Sequence, residues 1–261
     1  VKVRYGDKEY FLKHYDIAGK ERVMGEVLAD RLYNDFSGVS SAPQSFFGQL
    51  EDASVLAGRG SGWWKVSQSE NDFVSAISNV PVTRQYREQT ANGYEIVVPD
   101  VVDPSIHTSL DELIEEQMMT DVLLANHDVI GLTNDNIGIN RFTGQIMRID
   151  NGAVFDFRAR GLPKTSREGG WDYTQVSELG ETSATLRQGT LFNENVNAVW
   201  NQIADRRMGL DGPSLEGLLN EQLNHLLRLR NSFGSWEFFV RKHIPDATEE
   251  EILKFADFLE V

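Results

Sequence analysis

Apolar and polar residues alternate at the start of the chain, as they do in a half-buried β-strand. Residues 1–5 follow this alternation, residues 6–8 supply a turn, and a second strand is expected over residues 10–15. A helix is expected over about residues 19–36, because apolar residues recur there at the spacing of one helical face: Met24, Leu28, Leu32 and Phe36. The first part of the chain therefore predicts strands combined with one long helix.

The middle of the chain has weaker patterns. Residues 51–92 contain scattered glycines and no clear periodicity, so they are interpreted as irregular or inserted, or as an elaborated β-region. A strand is expected over residues 94–98. Ser109 is a good N-cap for a helix that ends around Asn126, and Glu112 completes a capping box.

The last part of the chain combines a small hairpin with helical patterns. Two short strands are expected over residues 137–139 and 146–149, and helices over residues 193–206, 214–229 and 248–259. This order predicts an α+β protein with two unequal lobes. Residues 1–102 would form a β-rich lobe with one long helix, and residues 103–261 a mostly helical lobe.

The charge balance excludes several classes of partner. The 261 residues include 40 acidic and 25 basic ones, for a net charge of −15, which disfavours nucleic acids and anionic membranes as general partners. The absence of cysteine excludes disulfides and thiolate metal sites. No apolar run approaches the roughly 18 residues of a membrane span, and residues 1–15 lack the apolar segment of a signal peptide. The expected location is the cytoplasm, or a host cytoplasm if the protein is a delivered effector.

Polar residues around the predicted hairpin suggest a chemistry. Asp128 precedes a loop, Asn136 closes the loop, and Asp150 ends the second strand of the hairpin. Phosphoryl transfer from ATP needs a carboxylate that orients or deprotonates the attacking hydroxyl. It also needs a carboxylate and an Asn that hold magnesium against the phosphates. Each residue alone is typical of a turn, but the set and its order favour this chemistry. A calcium loop is disfavoured, because the EF-hand spacing and its closing Glu are missing.

These residues resemble motifs of the protein-kinase-like superfamily, most closely its atypical branch of phosphoinositide-kinase, actin-fragmin-kinase and HipA-like members. Asp128, in Asn-His-Asp, stands where that family has its catalytic Asp. The segment 134–137, Asn-Asp-Asn-Ile, resembles the end of the phosphoinositide-kinase catalytic loop, which implies that Asn136 binds metal. The segment 143–150 resembles the hairpin that leads to the second metal-binding Asp, here Asp150. Bacterial and phage kinase-like proteins contain similar stretches.

The N-terminal segment extends the resemblance. Phe11-Leu12-Lys13 resembles the Val-Ala-Ile-Lys strand, so Lys13 would contact the α- and β-phosphates. Glu26, on the following helix, would be the ion-pair partner of Lys13. Glu21 lies on the same helix, and the choice of Glu26 comes from the resemblance. The nucleotide would lie between the lobes, where the backbone from Val98 to Val102 would bind adenine.

Two departures from the family pattern stand out. Asp128 and Asn136 are eight positions apart instead of the usual five. In addition, no Gly-rich phosphate loop precedes Lys13 in this sequence. The second departure favours a rival interpretation, a pseudokinase that keeps the fold as an interaction domain.

An acid-free basic stretch follows the proposed metal site. Its members are expected to hold an anionic substrate or a phosphate, although a solvated charge run is the simpler interpretation: Arg158, Arg160, Lys164 and Arg167. By contrast, Tyr15, Tyr33 and Tyr173 are expected to be packing residues.

The expected function is that of an ATP- and magnesium-dependent phosphotransferase, first of all a protein kinase acting on a protein hydroxyl. Its expected cofactors and partners are ATP, Mg²⁺ and a protein substrate. Three alternatives stay open: the pseudokinase, a kinase-fold enzyme acting on a lipid or small molecule, and one that transfers a nucleotidyl or aminoacyl group.

Overall fold

A computed structural model of the chain describes a mixed fold of strands and helices. The described residues are 2–15, 19–38, 41–50, 62–69, 73–75, 86–90, 93–97, 115–126, 129, 136–140, 145–156 and 214–260. All structural statements below concern these residues.

An antiparallel sheet of four strands forms the N-terminal part. Its strands are β1 (Lys2–Tyr5), β2 (Lys8–Lys13), β3 (Ser45–Leu50) and β4 (Gly62–Gln68), in the order β1-β2-β4-β3. Gly6, with φ of 64°, makes the tight turn between β1 and β2. The two expected N-terminal strands are confirmed. The structure also resolves part of the ambiguity over residues 51–92, because β4 is an interior strand of this sheet.

Helix α1 (Gly19–Ser37) packs against this sheet and agrees with the predicted helix. Gly38, with φ of 67°, ends it in the left-handed conformation that glycine adopts at low cost. The predicted stripe lies in the core, where Met24, Leu28 and Leu32 are fully buried. The same helix buries two carboxylates, Glu26 and Asp30. Since they are four residues apart, they lie on one face of α1.

Two further sheets follow. The strands are β5 (Phe73–Ser75), β6 (Tyr86–Thr90), β7 (Gly93–Val97), β8 (Ile137–Asn140) and β9 (Ile146–Arg148). Strands β6 and β7 pair with each other, and β5, β8 and β9 form a second sheet in that order. The predicted hairpin is confirmed as β8 and β9, with Ile137 opposite Arg148. The expected strand over residues 94–98 corresponds to β7.

The helix predicted from Ser109 to about Asn126 is interrupted within its described part. The helix α2 (Met118–Leu123) begins after Gln117, whose φ of −128° is not helical. The side chain of Gln222 bridges this break: its Nε2 donates to the carbonyl of Glu115 at 2.7 Å, and its Oε1 accepts from Met119 N at 2.9 Å. The expectation of one continuous helix is therefore wrong, because a tertiary partner replaces the lost helical hydrogen bonds. Ser109 lies outside the described residues.

Three helices end the chain: α3 (Leu215–Phe233), α4 (Trp236–His243) and α5 (Glu249–Leu259). Side chains of Ser214, Ser235 and Thr248 cap their N-termini, and Thr248 forms a capping box with Glu251. The helices expected over residues 214–229 and 248–259 are confirmed. Helix α4 was not expected, and residues 193–206 lie outside the described part.

The main core forms where α1 packs against the C-terminal helices. Phe155, Phe239 and Phe255 are buried there beside the apolar face of α1. Because Phe155 lies five residues after Asp150, this core also anchors the segment that follows the proposed metal site. Among the described helices, none is both long enough and apolar enough to cross a membrane.

Candidate functional site

Lys13, at the end of β2, lies between two carboxylates. Its Nζ is 3.1 Å from Oε1 of Glu26, and it also bonds Oδ1 of Asp150. Burial by itself lowers the pKa of Lys13, but the charges of Glu26 and Asp150 outweigh that effect and raise it. The lysine stays charged near neutral pH and is 32% exposed, so it can meet a second anionic group. The structure thus brings together the pair of residues that the resemblance implied. Their role towards a nucleotide stays a prediction.

The carboxylate of Glu26 is bonded by three side chains of the site. Only 1% of its side chain is exposed, and it accepts from Lys13, from Lys65 at 2.8 Å and from the hydroxyl of Tyr15. Burial raises the pKa of Glu26, but the two ammonium groups oppose burial and lower it to about 2. Glu26 is therefore a permanent anion at neutral pH. Glu21, the other carboxylate considered on α1, instead pairs with Lys254 at 2.7 Å.

Lys65 is a site residue that the sequence interpretation missed. It lies on β4 directly opposite Lys13 of β2 and is only 3% exposed. It also bonds Oδ2 of Asp30 at 2.6 Å. One signal could have identified it: a lysine among Trp63, Trp64 and Val66 indicates a charge within a buried strand, which needs a partner.

Tyr15 and Tyr33 are more than packing residues. The hydroxyl of Tyr15 donates to Glu26, and the hydroxyl of Tyr33 donates to Oδ1 of Asp121 at 2.5 Å. Burial and these carboxylates raise the pKa of both phenols, so both remain protonated donors. Their expected packing role is confirmed, because both rings are buried in the core, and their hydroxyls in addition satisfy buried carboxylates. Tyr173 lies outside the described residues.

Asp150 lies at the end of the β8–β9 hairpin, in a conformation suited to a functional site. Its φ is 54°, which is uncommon outside glycine, and 56% of its side chain is exposed. The backbone of Asn136 accepts from Ile149 N at 2.8 Å, so Asn136 lies across from the residue that precedes Asp150. The hairpin register thereby brings the two proposed metal ligands to the same end of the sheet.

Gly152 allows the close approach of three side chains behind Asp150. A Cβ at this position would lie 2.5 Å from Tyr15 Oη, 3.3 Å from Lys13 Nζ and 3.4 Å from Arg22 Nη2. Arg22 also donates to the Gly152 carbonyl at 3.1 Å and lies 3.7 Å from the centre of the Tyr15 ring. The tight spacing requires glycine here and ties the segment after Asp150 to α1.

The oxygen donors of Asp150 and Asn136 suit a Mg²⁺ ion whose remaining ligands are phosphates, rather than a metal ion bound by protein side chains alone. Asp150 supplies a carboxylate and Asn136 a carboxamide, the hard oxygen ligands that Mg²⁺ prefers when phosphates complete its shell. The described residues contain no group of three His, Cys, Asp or Glu able to hold a metal ion. The binding of Mg²⁺ by Asp150 and Asn136 stays a prediction.

A pocket opens beside these charges. Its volume is about 480 Å³, within the range of small-molecule sites. Charged residues line one part of it: Lys13, Glu26, Lys65 and Asp150. Apolar residues line most of the rest, including Phe11, Leu12, Pro43, Phe73 and Ile149. A ligand with an apolar part and an anionic end would match this division.

Several expected site residues lie outside the described part of the chain. They are Asp128, Val98 and Val102, and the basic residues Arg158, Arg160, Lys164 and Arg167. Their roles in orienting the acceptor, binding adenine and holding an anionic substrate stay predictions.

Comparisons with known proteins give a distant likeness among solved structures. No protein-family model matches the chain, and no curated protein matches it significantly. Among solved structures, it is similar to the crystal structure of a Helicobacter pylori proinflammatory kinase, CtkA, with 13% sequence identity and a TM-score of 0.46. The match covers 99% of this chain and 85% of that one. Because the identity is 13% and the TM-score is only 0.46, this likeness carries no argument about function.

Proposed function

We propose that the protein is an ATP- and magnesium-dependent phosphotransferase of two-lobed, protein-kinase-like fold, and that its acceptor is a protein hydroxyl. The observation that carries the proposal is the meeting of Lys13, Glu26 and Asp150 at one pocket. A buried glutamate, a lysine at a strand end and a carboxylate after a hairpin form the set needed to position the phosphates of ATP.

The proposal gives each residue of this set, together with Asn136 and Asp128, the role that the resemblance implies. Lys13 bonds phosphate oxygens, while Glu26 holds the lysine at the strand end. Asp150 and Asn136 hold Mg²⁺, which neutralises charge that develops on the transferred phosphoryl group. Catalysis is then mainly placement and charge stabilisation. In this scheme Asp128 orients the acceptor hydroxyl.

The pocket dimensions and lining support a nucleoside as the other part of the ligand. Apolar side chains such as Leu12, Phe73 and Ile149 offer contact area for a base, next to the charged groups that meet phosphates. A protein acceptor is favoured over a phosphoinositide, because a net charge of −15 repels an anionic membrane. The basic residues 158–167 would hold an anionic part of the substrate.

Isotope labelling tests the proposal. The protein is incubated with Mg²⁺ and ATP labelled at either the γ- or the α-phosphate, together with candidate protein acceptors and with the protein itself as acceptor. Transfer of γ-label alone is expected. Transfer of α-label would instead indicate a nucleotidyl transferase, and nucleotide binding without any transfer would indicate a pseudokinase.

Two variants connect transfer to the site. Asp150→Ala is expected to abolish transfer while the protein stays folded, because the carboxylate is exposed and its loss leaves no buried cavity. Asp257→Ala, on the exposed face of α5, is the matched control and should transfer normally. Undiminished transfer by Asp150→Ala would refute the assignment of the metal ligand.

A further inference from the structure

A chain of buried polar groups links the N-terminal sheet to the segment after Asp150. It runs from Glu26 to Lys65, from Lys65 to Asp30, and from Asp30 to Asn151. All four side chains are almost completely buried. Because a buried charge is tolerated only when it is paired, each link depends on its neighbours.

Lys65 is the central link. It faces Lys13 across the sheet, and like charges directly opposite each other repel. Glu26 offsets this repulsion by bonding both ammonium groups, at 3.1 Å and 2.8 Å. With all groups ionised, Lys65, Glu26 and Asp30 carry a net charge of −1, which the charge of Lys13 balances, while the exposed Asp150 adds one negative charge at the edge of this cluster. The position of Lys13 is therefore tied to the charge on Lys65.

The other end of the chain reaches the proposed metal site. Asn151 follows Asp150, and its Nδ2 donates to Oδ1 of Asp30 at 2.8 Å. Oδ1 of the same Asn151 accepts from Asn126 at 3.3 Å, just after α2. Asn151 thus holds the segment after Asp150 against both α1 and the end of α2.

We propose that Lys65 is a positioning residue: by pairing with both Glu26 and Asp30 it holds Lys13 and the segment after Asp150 in place for a metal-bound nucleotide. The proposal rests on the proposed function for its ligand, and on the contacts above for its geometry. Lys65 acts through Glu26 and Asp30.

Hydrogen exchange of the free protein tests the geometric part without any ligand. Exchange is followed in peptides covering residues 149–154, which contain the amide of Gly152 bonded to the Asp150 carbonyl at 2.8 Å. Lys65→Met is expected to speed exchange there at least about tenfold, because removing one partner of a buried ion pair leaves uncompensated buried charge on Glu26 and Asp30. The amide of Ile252 in α5, bonded to Thr248, reports whether the protein stays folded. Lys8→Met, on the exposed side of β2, is the control and should exchange like wild type.

A compensating variant separates charge balance from simple loss of packing. Lys65→Met/Asp30→Asn removes one positive and one negative charge, so the cluster is neutral again, and the new carboxamide keeps an oxygen for Asn151. Its exchange over residues 149–154 should therefore be slower than that of Lys65→Met. If Lys65→Met does not fold, Asp30→Asn alone is compared with the double variant, and the double variant should exchange more slowly. Wild-type exchange in Lys65→Met, or strictly additive effects in the cycle, would overturn the proposal.

The affinity for ATP, measured with and without Mg²⁺, tests the link to the ligand. Lys65→Met is expected to reduce the gain in affinity that Mg²⁺ brings by about tenfold or more. A folded Lys65→Met that keeps the full gain would overturn the proposal. If wild type binds no ATP in either condition, the proposed function fails, while the exchange experiment still decides whether Lys65 positions the segment after Asp150.

Discussion

Replacing Gly152 by alanine tests how closely the site is packed. The backbone at Gly152 is not in the left-handed region, so alanine is allowed there and would by itself stabilise the protein by about 0.4–1 kcal/mol. The new Cβ, however, would lie 2.5 Å from Tyr15 Oη, and real Cβ atoms essentially never approach within 3.0 Å. Tyr15 must therefore retreat by about 0.5 Å or more while it holds Glu26.

The expected magnitudes follow from this displacement. Overpacking costs about 1–3 kcal/mol, and after the backbone gain of about 0.4–1 kcal/mol the expected net loss is centred on about 1.3 kcal/mol. This corresponds to a fall in Tm of roughly 3–5 °C. Displacing Glu26 and Lys13 should lower phosphotransfer by about 10- to 100-fold, because misplacement of 1 Å costs about 100-fold.

The assay combines urea unfolding with γ-phosphate transfer. Gly48→Ala is the matched control, since a Cβ there meets nothing within 4 Å and neither measurement should fall. Tyr15→Phe removes the hydroxyl oxygen that lies closest to the new methyl group. Gly152→Ala/Tyr15→Phe should therefore lose less free energy of unfolding than the two single variants lose in total. Strict additivity, or a Gly152→Ala variant as stable and active as Gly48→Ala, would refute the packing described here.

Three further changes test the buried polar groups. Arg148→Met should lower the free energy of unfolding by about 3–5 kcal/mol, because it strands the buried Asp121; Arg241→Met, in an exposed pair, should cost less than about 1 kcal/mol, and equal losses would contradict this. Glu26→Gln should make the free energy of unfolding depend less on pH. In the unfolded chain Glu26 binds a proton below its ordinary pKa of 4.5, whereas in the folded protein it does so only near pH 2. The free energy of unfolding of wild type should therefore fall by about 3 kcal/mol as the pH is lowered from 4.5 to 2. Parallel pH profiles would count against the low pKa. Gln222→Ala should cost about 1–3 kcal/mol in urea unfolding, since buried backbone groups at the break before α2 lose their partner, and a neutral result would show that water replaces it.

The elements that the sequence predicted well are those with local signals. Helix α1 follows from its apolar spacing, and α3 and α5 follow from apolar spacing and from N-cap residues such as Ser214 and Thr248. The β8–β9 hairpin follows from two short apolar runs around a turn. In each case the residues that determine the element lie within it or next to it.

Part of the candidate site could also be predicted. Lys13, Glu26, Asn136 and Asp150 were identified by their order along the chain and by resemblance to kinase motifs, and the structure brings Lys13 into contact with Glu26 and Asp150. The choice of Glu26 over Glu21 came from resemblance, and the fold supplies the physical reason. Glu26 faces β4 and is buried, whereas Glu21 lies where it can pair with Lys254.

Only the tertiary structure decided which residues, distant in sequence, form buried polar pairs. Lys65 and Asn151 lie 39 and 121 positions from their partners Glu26 and Asp30, and no local pattern encodes such a meeting. It depends on β4 pairing with β2 and on α1 crossing that sheet, which places two carboxylates of one helical face over a lysine. The sequence by itself determined the helices, the hairpin and the polar residues available for chemistry. The packing of α1 on the sheet determined which of those residues must neutralise one another, because a buried ion persists only with a partner.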